Sequence, residues 1–132
     1  MTNVLEVDVD AIVQAWFVAD LTGVRIGTVT PADPNGTLTW LPFLQHYRIG
    51  GGDDGYVLDA PMIALHGFAS TQPAANGLLY QARSSLRRAR GVVVDGAVIT
   101  LVRTIGGPSW APTTNPAVRH ATATFQMFVK IA

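Results

Sequence analysis

Residues 118–132 read VRHATATFQMFVKIA, and the alternation within them decides the fold. Ala121, Ala123, Phe125, Met127, Val129 and Ile131 point one way, while His120, Thr122, Thr124, Gln126 and Lys130 point the other, as successive side chains of a β-strand do. Phe128 breaks the second set. The segment follows GGPSWAPTTNP (residues 106–116), whose glycines and prolines predict a loop. A strand of about 14 residues would span about 46 Å at about 3.3 Å per residue, more than a compact domain of this size needs. The expectation is an element that reaches a neighbouring subunit.

Working upstream, residues 98–105 read as a further strand and residues 73–90 as a helix. Ala75, Leu78, Leu79, Ala82, Leu86 and Ala89 share one face of that helix. Ser70 or Thr71 caps it, Pro73 sits where a missing amide costs nothing, and Gly91 ends it. Residues 61–68 (PMIALHGF) form a largely buried strand. GGGDDG (residues 50–55) holds no regular element, because glycine adds backbone entropy and adjacent carboxylates repel. Residues 38–49 and 24–30 are strands, with Pro42 a point of interruption. ADPNG (residues 32–36) supplies turn residues for a hairpin-like reversal between them. Asp8 or Asp10 caps a first helix whose Val9, Ile12, Val13, Trp16, Phe17 and Leu21 fall on one arc before Gly23. Helices separated by runs of strands predict one α+β domain over residues 1–132, a mainly antiparallel or mixed sheet packed against two α-helices.

The 132 residues are enough for one hydrophobic core. Only 14% are charged, well below the usual figure of about 25%, which implies that part of the surface is covered by something other than water. Nine basic side chains balance nine acidic ones, against a dedicated nucleic-acid binder, though a local basic face stays open. The absence of cysteine excludes disulfides, thiolate metal sites and cysteine nucleophiles. The acidic N-terminus lacks a signal-peptide pattern, and no apolar run is long enough for a membrane span. No membrane partner is expected.

Few motifs carry chemistry. His46, His66 and His120 each fall in an expected strand, and a metal would need a further ligand such as Asp53, Asp54 or Asp59 without any spacing motif to support it. Ser70, Ser84, Ser85 and Ser109 show no sign of activation. GGGDDG runs into a strand and carries carboxylates, unlike a phosphate cradle. No catalytic residue, metal or cofactor is therefore expected, and the candidate residues are those of an interface. Gly51, Asp53 and Asp54 lie in a loop suited to ordering on a partner. Arg83, Arg87 and Arg90 share one flank of the second helix, either as a solvated face or as a stripe facing an acidic protein or DNA. Trp110, held between Pro108 and Pro112, either anchors an interface or folds back over its own sheet. At Arg119 and His120, packing inside the subunit is expected to give way to contact with another chain.

The order of elements resembles that of the tail terminator (minor tail) proteins of long-tailed bacteriophages. The resemblance rests on the GGG loop followed by Asp59, Ala60, Pro61 and an apolar strand, and on GFASTQPAANGLLYQARSSL leading into the second helix. It continues in GGPSWAPTTNP and the strand opening VRHATATF, with His120 where an aromatic residue is commoner. The resemblance implies an α+β virion subunit forming a homo-oligomeric ring, a hexamer, that caps the tail tube and offers a surface for head joining. Its implied partners are further copies of itself, the tail tube protein and a head-completion or connector protein, with passing contact to DNA in the lumen. The implied location is the head-proximal end of the tail, reached from the host cytoplasm, and no enzymatic activity is implied. A neck or head-completion protein is the alternative from the same particle. A small ligand-binding or hydrolytic domain using the histidines and aspartates is the alternative from another class.

Overall fold

The computed structural model describes residues 8–33, 35–53, 58–113 and 115–131. Asp8 opens the first helix, α1 (Val9–Asp20), by accepting a hydrogen bond from the Ala11 amide, a placement that also suits the positive end of the helix. Val9, Ile12, Val13 and Phe17 are buried beneath it. The strands that follow are β1 (Arg25–Gly27), β2 (Phe43–Gly50), the short β3 (Leu58–Asp59) and β4 (Met62–Ala69). The second helix, α2 (Gln72–Arg88), is capped by Thr71, whose hydroxyl accepts from the Ala74 amide. Ala75, Leu78, Leu79, Ala82, Leu86 and Ala89, the face expected from helical spacing, are all buried. A short β5 (Val93–Val94), a long β6 (Ala97–Ala111) and β7 (Arg119–Ile131) complete the chain.

Seven strands form one mixed sheet in the order β1-β2-β4-β7-β6-β5, with β3 pairing to β7. The fold is the α+β class expected, a largely antiparallel sheet carrying two helices. Ala121, Ala123, Phe125, Met127 and Val129 of β7 are buried in the core with both helices, as the alternation predicts. Gly67 lets α2 approach this closely, because a Cβ there would stand 2.8 Å from the Ala75 carbonyl oxygen. Trp16 ties the two helices together by donating its indole N–H to the Ser85 hydroxyl and carbonyl at 3.0 and 3.1 Å.

The structure corrects three expectations. First, β1 and β2 are parallel, not a hairpin, with Arg25 opposite Phe43 and Gly27 opposite Gln45. The connection through residues 28–42 exceeds the dozen or so residues a parallel crossover requires. It is organised by Asp33, whose carboxylate accepts from the amides of Thr37 and Leu38 and from the Trp40 indole. Regular pairing in the second strand consequently starts at Phe43, after Pro42 and not at residue 38.

Second, residues 106–111 are not loop. β6 continues through both glycines and Pro108 to Ala111, with Ser109 opposite Thr122 and Trp110 opposite Ala121. Register shifts around Gly106 absorb the irregular residues, and the proline is tolerated because this part of the strand lies at a sheet edge. Third, β7 does not reach outward. It pairs with β4 from Arg119 to Gln126, with β3 at Val129 and Lys130, and with β6 along nearly all its length. Its length is consumed at the centre of its own sheet, and among the described residues it is β6 whose outer edge is left unpaired from Thr100 onward.

Candidate interface surfaces

The expected interface residues fall into three groups. Trp110, Arg119 and His120 converge at the start of β7, where they line one depression of about 250 Å³ with Pro112, Pro116 and Val118. Trp110 is 62% exposed, which is against its folding back over its own sheet. Arg119 is exposed and His120 half-buried. Gly51 and Asp53 lie at the other end of the strand, where Asp53 bridges to Asp59 beside the C-terminal part of β7. The nine residues from His120 to Val129 put these two groups about 30 Å apart. Asp54 lies outside the described residues. Arg83, Arg87 and Arg90 form the third group: Arg83 stacks over the Tyr80 ring with 5.1 Å to its centroid, and Arg87 and Arg90 are exposed.

Gly51 has a reason internal to the fold. Its φ is +86°, and a Cβ would fall on the Ala60 carbonyl, so only glycine fits. Its own carbonyl accepts from Arg48. Arg48 also forks onto buried Asp59 at 2.6 and 2.8 Å and donates to the Gly50 carbonyl, while its amide donates to Asp10. One guanidinium thus holds β2, the following turn and β3 together. No spacing motif in the sequence marks this pair, because Arg48 and Asp59 meet only through the sheet.

His120 terminates a hydrogen-bond chain across the helix-free face. Its Nε2 lies 2.8 Å from His66 Nδ1, and His66 Nε2 lies 2.9 Å from the Tyr47 hydroxyl. The Pro112 backbone lies against the His120 ring and favours its charged form. Tyr47, His66 and His120 are thus linked in series, with the donor and acceptor roles along the chain set by the histidine tautomers. Phe68 stacks on His120 at 4.4 Å between centroids, and Trp40 packs on Phe68 at 5.7 Å. These rings edge a cavity of about 390 Å³ between residues 30–40 and 112–118. His46 is separate and fully buried under α1, donating from Nε2 to Gln14 at 2.6 Å. Among the described residues no three of His, Asp or Glu gather to hold a metal ion, and no helix is long and apolar enough to cross a membrane.

Burial draws all three imidazoles below their usual pKa. His66 is lowered further by its neighbour His120, whereas Pro112 opposes the shift at His120 and Asp10 opposes it at His46. An unfolded histidine takes up its proton near pH 6.5, so below that value the unfolded chain binds more protons than the folded one. Stability is therefore present in full above about pH 6.5 and is lost as pH falls toward the lowered folded values. The melting midpoint should be level near pH 7–8 and drop between about pH 6.5 and 5. Asp20, held low by its Arg88 hydrogen bond, and Asp33, held low by the Leu38 amide, act at lower pH. A midpoint that holds constant or rises from pH 7 to pH 5 in calorimetry contradicts the lowering of these histidines by burial.

The fold defines the class, an α+β domain with a bare sheet face and an open strand edge. No family model matches the chain, and no curated protein is similar to it in sequence. Its fold is similar to that of a chain from a solved structure described as "Virion of native gene transfer agent (GTA) particle". The TM-score is 0.56 at 9% identity, over 92% of this chain and 87% of that one.

Proposed function

We propose that the chain is a structural subunit of a phage-like virion, closing into a homo-oligomeric ring that caps the tail tube and receives the head. The observation that carries this reading is the fold similarity to a virion-particle chain across nearly the whole of both chains. The tail terminator assignment comes from the resemblance of the 50–61, 67–86 and 106–125 segments, and a hexamer is the stoichiometry it implies. Two features of the subunit support assembly. Trp110 stands in solvent at one end of the central strand, and Leu101 and Ile105 are exposed along β6. Large apolar side chains left at a surface are the usual anchors of a contact. The reading gives the chain no catalytic role and no cofactor. Its partners are other copies, the tail tube protein and a head-completion protein, with Arg83, Arg87 and Arg90 available to passing DNA.

The test is light scattering after size exclusion, followed by negative-stain imaging with purified tail tubes. Rings of discrete mass seated at one tube end are the expected result. A monodisperse monomer at high concentration that ignores tubes removes the proposal. Rings that bind the portal side of heads and not tubes favour the neck protein instead.

A further inference from the structure

We propose that copies of this chain join head to tail, the exposed edge of β6 on one copy entering the acidic groove beside α1 and β1 on the next. The inference rests on the ring reading and names the surfaces that would build it.

β5 pairs with β6 only at Ala97 and Val98, and the ladder ends with the bonds between Ile99 and residues 91 and 92. From Thr100 onward, the outer edge of β6 has no strand partner among the described residues. An edge of this length is a template for another chain. Leu101 and Arg103, two residues apart in regular register, stand on one side of it, Ile105 follows at the register shift before Gly106, and all three are exposed. Arg103 takes no ion pair among the described residues. A basic residue between two apolar ones calls for a partner that offers both carboxylate and covered surface.

The same chain offers it at the other end of the strand order. β1 is the opposite terminal strand, and next to it lies a cavity of about 440 Å³ lined by Asp8, Asp10, Ala11, Gln14, Gly27 and Thr28. Two carboxylates line this groove and no base does. Asp8 is exposed, and Asp10 is held in place by the Arg48 amide. The pattern extends to the whole sequence. Residues 1–59 hold eight of the nine acids and two of the nine bases, while residues 60–132 hold one acid and seven bases. Zero net charge thus conceals a charge dipole along the chain.

Charge complementarity between unlike patches on one molecule selects a second copy over a foreign partner. Because the patches occupy opposite sheet edges, the contact is heterologous, the type that generates closed rings. A contact of β6 with β6 would set Arg103 facing like charge and would stop at a dimer.

The experiment compares the full chain with Arg103→Glu and with the double variant Asp8→Asn, Asp10→Asn, by light scattering across protein concentration and salt. Asparagine keeps the helix cap and the acceptor for the Arg48 amide, so folding is preserved, and circular dichroism melts check it. The expected result is that each variant raises the concentration needed for assembly by about tenfold or more at low salt, and that wild-type assembly weakens with salt while Arg103→Glu assembly does not. A folded Arg103→Glu that assembles like wild type overturns this contact while leaving the ring standing. A wild type that is monomeric under all conditions overturns the ring and the contact with it.

Discussion

Replacing Arg48 by alanine should cost about 3–5 kcal/mol of unfolding free energy, enough to remove much of the stability of a domain this size. The reason lies in what is left behind. The Asp59 side chain is 5% exposed, and its carboxylate is matched by a guanidinium that water still reaches at 33% exposure. Without Arg48, the buried carboxylate loses a bidentate partner, and the Gly50 and Gly51 carbonyls lose their donor. Partial solvent access at the arginine places the expectation toward the lower end of that range. Lysine keeps the charge but not the fork, so Arg48→Lys should fall between alanine and wild type. Arg48→Met combined with Asp59→Leu removes both charges together and should recover most of the loss. Urea melts of the four proteins decide the matter. A loss below about 1 kcal/mol for the alanine variant shows that the pair does not organise this end of the sheet.

Phe125→Ala should cost about 3–5 kcal/mol, because the ring is fully buried at the centre of β7 and its removal opens a cavity beneath the helices. Phe125 lies opposite Ile63 on one side and Thr104 on the other. Phe128, on the other face of the strand, is only half-buried and no helix covers it. Phe128→Ala should therefore cost about 1 kcal/mol. The contrast tests which face of the sheet is the core. Equal costs in calorimetry would show that the bare face is packed as tightly as the helical one.

Those two phenylalanines show how far the sequence reaches. Alternation put Phe125 in the core and left Phe128 as the exception, and the structure agrees because burial of one face is written into every second residue. The helix faces and the Thr71 cap were legible for the same reason: their signals lie within a turn or two of chain. The Arg48 and Asp59 pair was not legible, since the residues come together through β2 and β3, which the sequence leaves on either side of a glycine-rich loop. The histidine chain was missed likewise, as Tyr47, His66 and His120 sit on three different strands. The charge dipole was present in the order of residues, but the balance of nine against nine masked it.

By itself, the sequence determined the elements, their buried faces and the α+β class, because hydrophobic period and capping chemistry act over a few residues. Only the tertiary structure decided which strand lies beside which. Pairing across the sheet made β1 parallel to β2, drew the Gly/Pro segment 106–111 into β6, and placed β7 at the centre with its length fully used. The unpaired edge therefore belongs to β6, whose outer side has no strand partner from Thr100 onward among the described residues, and not to β7. The physical reason is that a strand's period fixes which side chains it buries, whereas its neighbours are fixed by contacts between residues far apart in the chain.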